Sequence, residues 1–428
     1  MPRTSAFANA APGDAGPRAR FLAVPLLATA ACLAIILAAG ELAVLVPPAW
    51  QGSWSAHVAG TQPHFVDRFF PFDAAWYQRI ATYGYQWDPT HRELKQDVAF
   101  FPLWPLVLRL VKLCIASPVA ARSAAVCLAA AFALASICAF HRLARRLLPA
   151  RTADTATLLF ALYPGASFLL LSYPTGLMNL LCILALLALM DENLVAAAAL
   201  SGIVTASGPL GLGTALTVCS CAAVRTVTTW REASGAAPRW RALATFFALC
   251  ALAVSGLAAF LLWQYVTLGD AFAFMKAQQA WALPPSWTQR VPRAMAQLLI
   301  LPNFFAALHH LAQATRTTTL VALQASLESS LHSAALGLAL IGVLASSRLA
   351  SRPVLLQGIY TMALFIWFHS SSRPGNSTLR LTYCAVGMFL GIAWLLQNHP
   401  KLAVCVIAVS AMMLACGAFL TDAGYHVV

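Results

Sequence analysis

Charge is what this chain has least of. Only 10% of its 428 residues are charged and only 14 are acidic, where a soluble domain carries roughly 25% charged residues. That scarcity excludes a large soluble domain. Cysteine is missing from the two long polar stretches, 49–97 and 269–293, although the chain contains 11. All of them lie in or beside apolar segments, which excludes a disulfide framework and a thiolate metal site. The pair Cys219 and Cys221 reads as two small helix-packing side chains. Internal repeats are also missing, and repeats are a common mark of transporters.

What is present is hydrophobic residue, at 60% of the chain. Apolar runs recur along the whole length, each long enough to cross a hydrocarbon core about 30 Å thick. The net charge of +13 does not point to nucleic acid. The basic residues gather in short loops between apolar runs, as at His141–Arg151 with its four arginines, and that clustering marks cytoplasmic loops. The expected architecture is an all-α polytopic membrane protein with about 11 spans. An uncleaved first span covers 21–48, too long for a signal-peptide core, behind a cytoplasmic tail at 1–20. Further spans are expected at 118–140, 153–171, 174–190, 242–268, 331–347, 354–369, 379–397 and 402–420. Residues 194–223 read as two half-spans meeting at Ser207-Gly208-Pro209. The stretch 98–117, interrupted by Pro102, Pro105, Arg109 and Lys112, reads as a helix lying at the surface.

This topology makes 1–428 one membrane domain with a first outer loop at 49–117 and a second at 269–330. It also brings three polar, aromatic-rich segments to the outer face: 49–97, 269–293 and 369–380. In the first, Asp73, Trp76, Tyr77 and Ile80 share one face if the segment is helical. A carboxylate is ionised at neutral pH, so Asp73 among aromatics can take a proton from a substrate hydroxyl. The plainer role for such an acid is to solvate a loop.

Four stretches together resemble a known family. "FDAAWYQRIATYGY" is similar to the first outer-loop signature of the PIG-V-like mannosyltransferases, and "FFPLWPLVLRL" to the motif that follows it. "GDAFAFMKAQQAW" at 269–281 and "STLRL" at 377–381 resemble two later motifs, in the same order. The resemblance implies a GT-C-type bundle with interfacial helices on the outer-face loops. It implies a polyprenyl-phosphate sugar donor, a mannosyl transfer with inversion, and a glycan, lipid or protein acceptor hydroxyl. It offers Asp73 as the general base. The leaving phosphate needs a cation, and Arg380 at the head of the span 379–397 is the first choice, since its fork binds phosphate bidentately and a helix start favours an anion. Arg79, Lys276 and Arg373 are weaker candidates, and any of these can simply snorkel to headgroups. Trp76, Tyr77, Asp97, Gln279 and Trp281 are substrate-binding candidates, although interfacial tryptophans also serve as membrane anchors. Glu41, an acid costly enough in a span to suggest a purpose, reads equally as a partner of a cation such as Arg79 or Arg122 and as a catalytic acid. No metal or other cofactor is implied: Asp73, Asp88 and Asp97 offer oxygen ligands, but at no fixed spacing. Membrane lipids are the surroundings, and the Ala-rich, Arg-over-Lys composition points to a bacterial inner membrane. A lipid-linked-sugar transporter and a non-catalytic partner subunit are the alternatives.

The chain departs from the family at two places. Thr175 in "YPTGL" stands where the family has an acid, and Ala206 in "TASGPLG" where it has an arginine. Removing one partner of a buried ion pair costs about 3–5 kcal/mol, whereas losing both can be neutral. The two positions therefore read as a pair lost as a unit. Restoring both, Thr175→Glu with Ala206→Arg, is expected to melt at a higher temperature in detergent than either single variant; a double variant no better than the worse single removes the pairing idea.

Overall fold

In hydrocarbon a backbone must hydrogen-bond within its own segment, so long apolar runs become helices. The structure, a computed structural model, describes residues 16–47, 51, 65–280, 309, 334–369 and 377–425. Trp281 and Arg373 lie outside the described residues, as does the side chain of Gln279. In chain order the helices are α1 (Gly16–Val44), α2 (Ala74–Tyr83), α3 (Leu103–Cys114), α4 (Pro118–Leu147), α5 (Ala150–Ala161) and α6 (Ser167–Leu170). Next come α7 (Thr175–Met190), α8 (Leu194–Thr205), α9 (Gly211–Glu232), α10 (Ala236–Ala253), α11 (Ser255–Leu268) and α12 (Ala273–Ala277). The last are α13 (Ala334–Arg348), α14 (Arg352–His369), α15 (Thr378–Thr382), α16 (Gly387–Leu396) and α17 (Pro400–Asp422). The described residues contain no strand.

Helices α1, α4, α9 and α17 are long and apolar enough to cross a membrane. Two bent pairs raise that number to six among the described residues, and four shorter apolar helices accompany them. The expected count of about 11 exceeds what length and apolarity alone support. The stretch 98–117 holds the 12-residue α3, which buries Trp104, Pro105 and Leu108 and leaves Leu106, Leu110 and Leu113 exposed. All 11 cysteines are free thiols.

Three expected spans are broken. The span 153–171 bends by 61° before Pro164, and 242–268 bends by 63° at Val254. The span 379–397 is the short α15, a turn, and then α16. The stretch 194–223 is broken where expected, but its second part is the full-length α9, which runs through the basic stretch to Glu232. Each break frees a carbonyl, and another part of the fold takes it. Ser410 Oγ donates to Leu162 O at 2.9 Å, Ser201 Oγ to Ala253 O at 3.2 Å, and Gln357 Nε2 to Cys384 O at 2.8 Å. At the end of α8, the Leu103 amide donates to Ala206 O at 2.9 Å. Left unpaired in lipid, each group would cost several kcal/mol.

The bundle packs α7 against α4 and α8, α1 against α17, and α9 against α10 and α14. α7 and α8 form an antiparallel hairpin, so Thr175 and Ala206 lie at the same end of it. Thr175 is buried, at 3% exposure, so a carboxylate there needs a partner. Lipid tails are as apolar as leucine, so helices associate by close packing instead. α13 and α16 cross almost backbone to backbone: a Cβ on Gly391 would strike the Gly342 carbonyl. Gly391→Ala is expected to cost about 1–3 kcal/mol of overpacking and to lower the detergent melting temperature. Gly417→Ala, which meets open space, should not; equal melts for the two variants would refute the crossing.

Candidate active site

Asp73 is the residue just before α2, and its side chain makes no bond to the helix start. It is drawn elsewhere: Arg380 Nη1 donates to Asp73 Oδ2 at 2.8 Å, across 307 residues of sequence. The Asp73 amide donates to Tyr173 Oη at 3.0 Å, and that hydroxyl donates to Pro71 O at 3.2 Å. The expected face of α2 is present in graded form. Tyr77 and Ile80 are buried, and Trp76 is half-buried and stacked on Phe100 at 5.8 Å. The segment is clamped to the turn before α7, where Trp104 Nε1 donates to Ser172 O at 3.0 Å and the Ser172 amide to Phe69 O at 2.8 Å.

Arg380 is held from several sides. Its Nη2 donates to Ser377 Oγ at 2.9 Å. Its guanidinium lies over the rings of Tyr173 and Phe168, at 5.2 and 5.8 Å. α15 is fixed by the Tyr163 and Thr382 hydroxyls, 2.9 Å apart, and by Gly165, which lets the Leu379 carbonyl approach. With only five residues, α15 is too short to supply the helix-start field expected of a long span. The side chains of Arg380 and Asp73 are 15% and 26% exposed. Such a pair is screened far less than an exposed one. Backbone strain flanks both partners. Phe72, next to Asp73, has φ +51° and Ser377 has φ +63°, each worth about 1–3 kcal/mol.

The remaining polar segments arrive at the same end but sort into their own pairs. Asp97 is buried; its Oδ1 accepts the Gln86 amide at 2.7 Å, and Arg79 Nε is 3.6 Å from its Oδ2. Burial raises this carboxyl above the usual aspartate value. Arg79 Nη2 also donates to Gln86 Oε1 at 2.5 Å. Lys276 donates to Asp270 Oδ2 at 2.5 Å, where it holds that carboxyl below its ordinary value. Gln278 Nε2 donates to Ala99 O at 3.1 Å, and α12 packs on Val98 and Ala99 beside Tyr85 and Trp87. Of the expected phosphate-binding cations among the described residues, Arg380 contacts Asp73, whereas Arg79 and Lys276 are engaged by Asp97 and Asp270. Glu41 accepts from Arg68 at 2.9 Å, not from Arg79 or Arg122, and Arg122 pairs with Asp67.

Tyr173, Phe168 and Ser377 belong to this site and were not singled out from sequence. Tyr173 and Ser377 sit inside stretches quoted above; Phe168 carries no sequence signal. Among the described residues no three histidine, cysteine, aspartate or glutamate side chains come together. Asp73, Asp88 and Asp97 lie in separate networks, Asp88 being bound by Thr90 and His91.

The chain is similar in structure to ArnT from Cupriavidus metallidurans bound to undecaprenyl phosphate, with 15% identity, a TM-score of 0.44, and coverage of 92% of this chain and 75% of that one. Apo ArnT from the same organism gives 15% identity, a TM-score of 0.43, and coverage of 92% and 76%. The Archaeoglobus fulgidus oligosaccharyltransferase tethered to an acceptor peptide gives 13%, 0.37, and coverage of 92% and 55%. No curated protein matches by sequence. A family model described as mannosyltransferase (PIG-V) matches residues 22–287. A match of that extent, running from the first apolar helix past the Asp270–Lys276 segment, makes this chain a member of the PIG-V mannosyltransferase family, a glycosyltransferase of the membrane.

Proposed function

We propose that the chain transfers mannose from a polyprenyl-phosphate donor to an acceptor hydroxyl at the outer face of a bacterial inner membrane. The observation that carries this reading is the Asp73–Arg380 pair, 2.8 Å long and walled by Tyr173 and Phe168. A glycosyl transfer of this kind needs a base beside a phosphate-binding cation, and here the two are in contact.

The acceptor oxygen attacks the anomeric carbon while Asp73 takes its proton. The bond from that carbon to the phosphate oxygen breaks, and the phosphate leaves with the electron pair. One displacement with one base inverts the anomeric centre. Base catalysis matters because an alcohol is a poor nucleophile until its proton is removed. Arg380 meets the growing charge on the leaving phosphate; charge-assisted bonds of this kind are roughly twice as strong as neutral ones. The guanidinium already spends nitrogens on Asp73 and Ser377. An arriving donor phosphate competes with Asp73 for it and so releases the carboxylate toward the acceptor. The base is freed only when the donor is in place.

The test uses purified full-length protein and polyprenyl-phosphate mannose, with donor consumption and donor binding read separately. Asp73→Asn is expected to lower turnover by about 10²–10⁴-fold, the usual worth of a general base, while donor binding persists. Arg380→Gln is expected to weaken donor binding roughly 10–100-fold, from the loss of about 1.5–3 kcal/mol in charged hydrogen bonds. Near-normal turnover by Asp73→Asn would take the base role away from it.

Each single variant also strands a part-buried charge, and the double variant does not. Asp73→Asn with Arg380→Gln should therefore recover detergent stability lost by the Asp73 variant while remaining inactive. A double variant less stable than both singles would contradict the pairing argument.

A further inference from the structure

A second feature lies one helical turn from Asp73 and takes no part in the chemistry above. It is a cavity of about 270 Å³ between α2 and the loop 86–97, lined by Trp76, Arg79, Trp87, Asp88, His91 and Asp97. That volume lies just under the roughly 300–1,000 Å³ of sites for drug-sized ligands, so it suits one six-membered sugar ring and not a disaccharide.

The lining is built. Asp97 is 2% exposed, and its Oδ2 accepts no hydrogen bond. A buried carboxylate oxygen without a donor is costly, and natural structures reserve such groups for a purpose. Arg79 stands at the cavity wall. It is fixed from below by Asp97 at 3.6 Å and Gln86 at 2.5 Å, and its guanidinium lies 5.9 Å from the Trp76 ring. Trp76 is itself stacked on Phe100. Trp87 packs against Val98, Ala99 and α12. Two indoles therefore flank a half-exposed guanidinium that Asp97 and Gln86 hold at the cavity wall. Indole faces suit the apolar C–H face of a pyranose, while fixed N–H groups suit its hydroxyls. Lys95 lines the cavity as well, so the formal charges of Arg79 and Lys95 balance those of Asp88 and Asp97, with His91 bonded to Asp88, and a balanced lining suits a neutral polyol.

From this geometry we infer that the cavity is the subsite for a pyranose ring of the acceptor. The inference rests on the transferase reading and gives the acceptor a chemical class. Placement decides between acceptor and donor sugar. Arg380 meets Asp73 at the N-terminal end of α2, whereas the cavity spreads from Trp76 toward Arg79. Asp73 and Trp76 are three residues apart, about 4.5 Å along the helix axis and on one face. A sugar seated on Trp76 can turn a hydroxyl toward Asp73, with the donor phosphate on the far side. Asp97 acts here as a positioning residue for Arg79.

The experiment is a binding measurement on the purified full-length protein in detergent, so it needs no turnover. The probes are methyl α-mannopyranoside, methyl α-glucopyranoside, inorganic phosphate and polyprenyl phosphate, followed by calorimetry or saturation-transfer NMR. At least one glycoside is expected to bind. Trp87→Ala and Asp97→Asn should each weaken it tenfold or more, and Trp87→Phe should retain most of it. Arg380→Gln should leave it unchanged. Polyprenyl phosphate should behave oppositely, kept by Trp87→Ala and weakened by Arg380→Gln, which also shows that the variants are folded. The inference is overturned if no glycoside binds, or if Trp87→Ala leaves glycoside binding intact. It is also overturned if phosphate displaces the glycoside, or if Trp87→Ala weakens polyprenyl-phosphate mannose as much as free glycoside, which would make the cavity the donor-sugar site. Failure of the transferase reading shows up elsewhere, as donor turnover indifferent to Asp73, and the glycoside arm does not depend on it.

Discussion

A backbone group left unpaired in hydrocarbon is the constraint from which the rest of this fold follows. A bundle of straight helices would satisfy it trivially and would also leave no place for a site. This chain breaks its helices at Pro164, at Val254 and after Thr382, and pairs the freed carbonyls with Ser410, Ser201 and Gln357. Those three side chains are a small polar investment in a chain with little polarity to spend. What they permit is decisive. The break after Thr382 lets α15 stand as a short separate piece, and the break before Pro164 supplies the surface on which it rests. Arg380 reaches Asp73 because both breaks are stabilised.

The end of the bundle that carries Asp73 then sorts its charges. Asp73 takes Arg380, Asp97 takes Arg79, and Asp270 takes Lys276. At a membrane surface this sorting works as selection among near equals, since any of these cations could neutralise any of these acids. Distance along the chain does not decide it; the ends of the helices do. α12 is held on the loop before α3 by Gln278, which keeps Lys276 beside Asp270. The turn before α7 is held to Phe69 by the Ser172 amide, which brings Tyr173 under both Asp73 and Arg380.

Much of this was legible in the sequence, and what was not has a physical explanation. Asp73 stood out by its aromatic company and by the stretch that resembles the family signature, and the helical spacing to Trp76, Tyr77 and Ile80 is a local property. The meeting of three distant segments followed from counting sides of a membrane. The pairing of charges did not follow. As an ion-pair partner, Glu41 was expected with a cation such as Arg79 or Arg122 and is found with Arg68, because the partner is set by which helix ends meet, and hydropathy carries no such information. The helix breaks were also invisible where no proline marks them, as at Val254, where Ser201 on another helix takes the freed Ala253 carbonyl. The helix-start argument for Arg380 failed for the same reason: apolar character extends through 379–397, but the helix does not.

The Asp73–Arg380 pair is an unlikely device for stability. Replacing a part-buried ion pair with well-packed apolar residues is often neutral or stabilising, and this chain is rich in apolar residues. At two other positions, Thr175 and Ala206, it carries neutral residues where its family resemblance places a charged pair. Around Asp73 it does the reverse. It keeps both charges and places Phe72 and Ser377 at positive φ beside them, and it encloses the guanidinium between Tyr173 and Phe168. The two positive φ values cost stability, and the rings hold the guanidinium in the place that this strain surrounds. Strain of this kind persists only where the surroundings over-determine it, and it gathers at sites that act. The family match ends at residue 287, so Arg380 enters the site on the resemblance of its short motif and on geometry. That geometry is the stronger ground, because an acid and a cation 307 residues apart meet only if the whole bundle is built to bring them together.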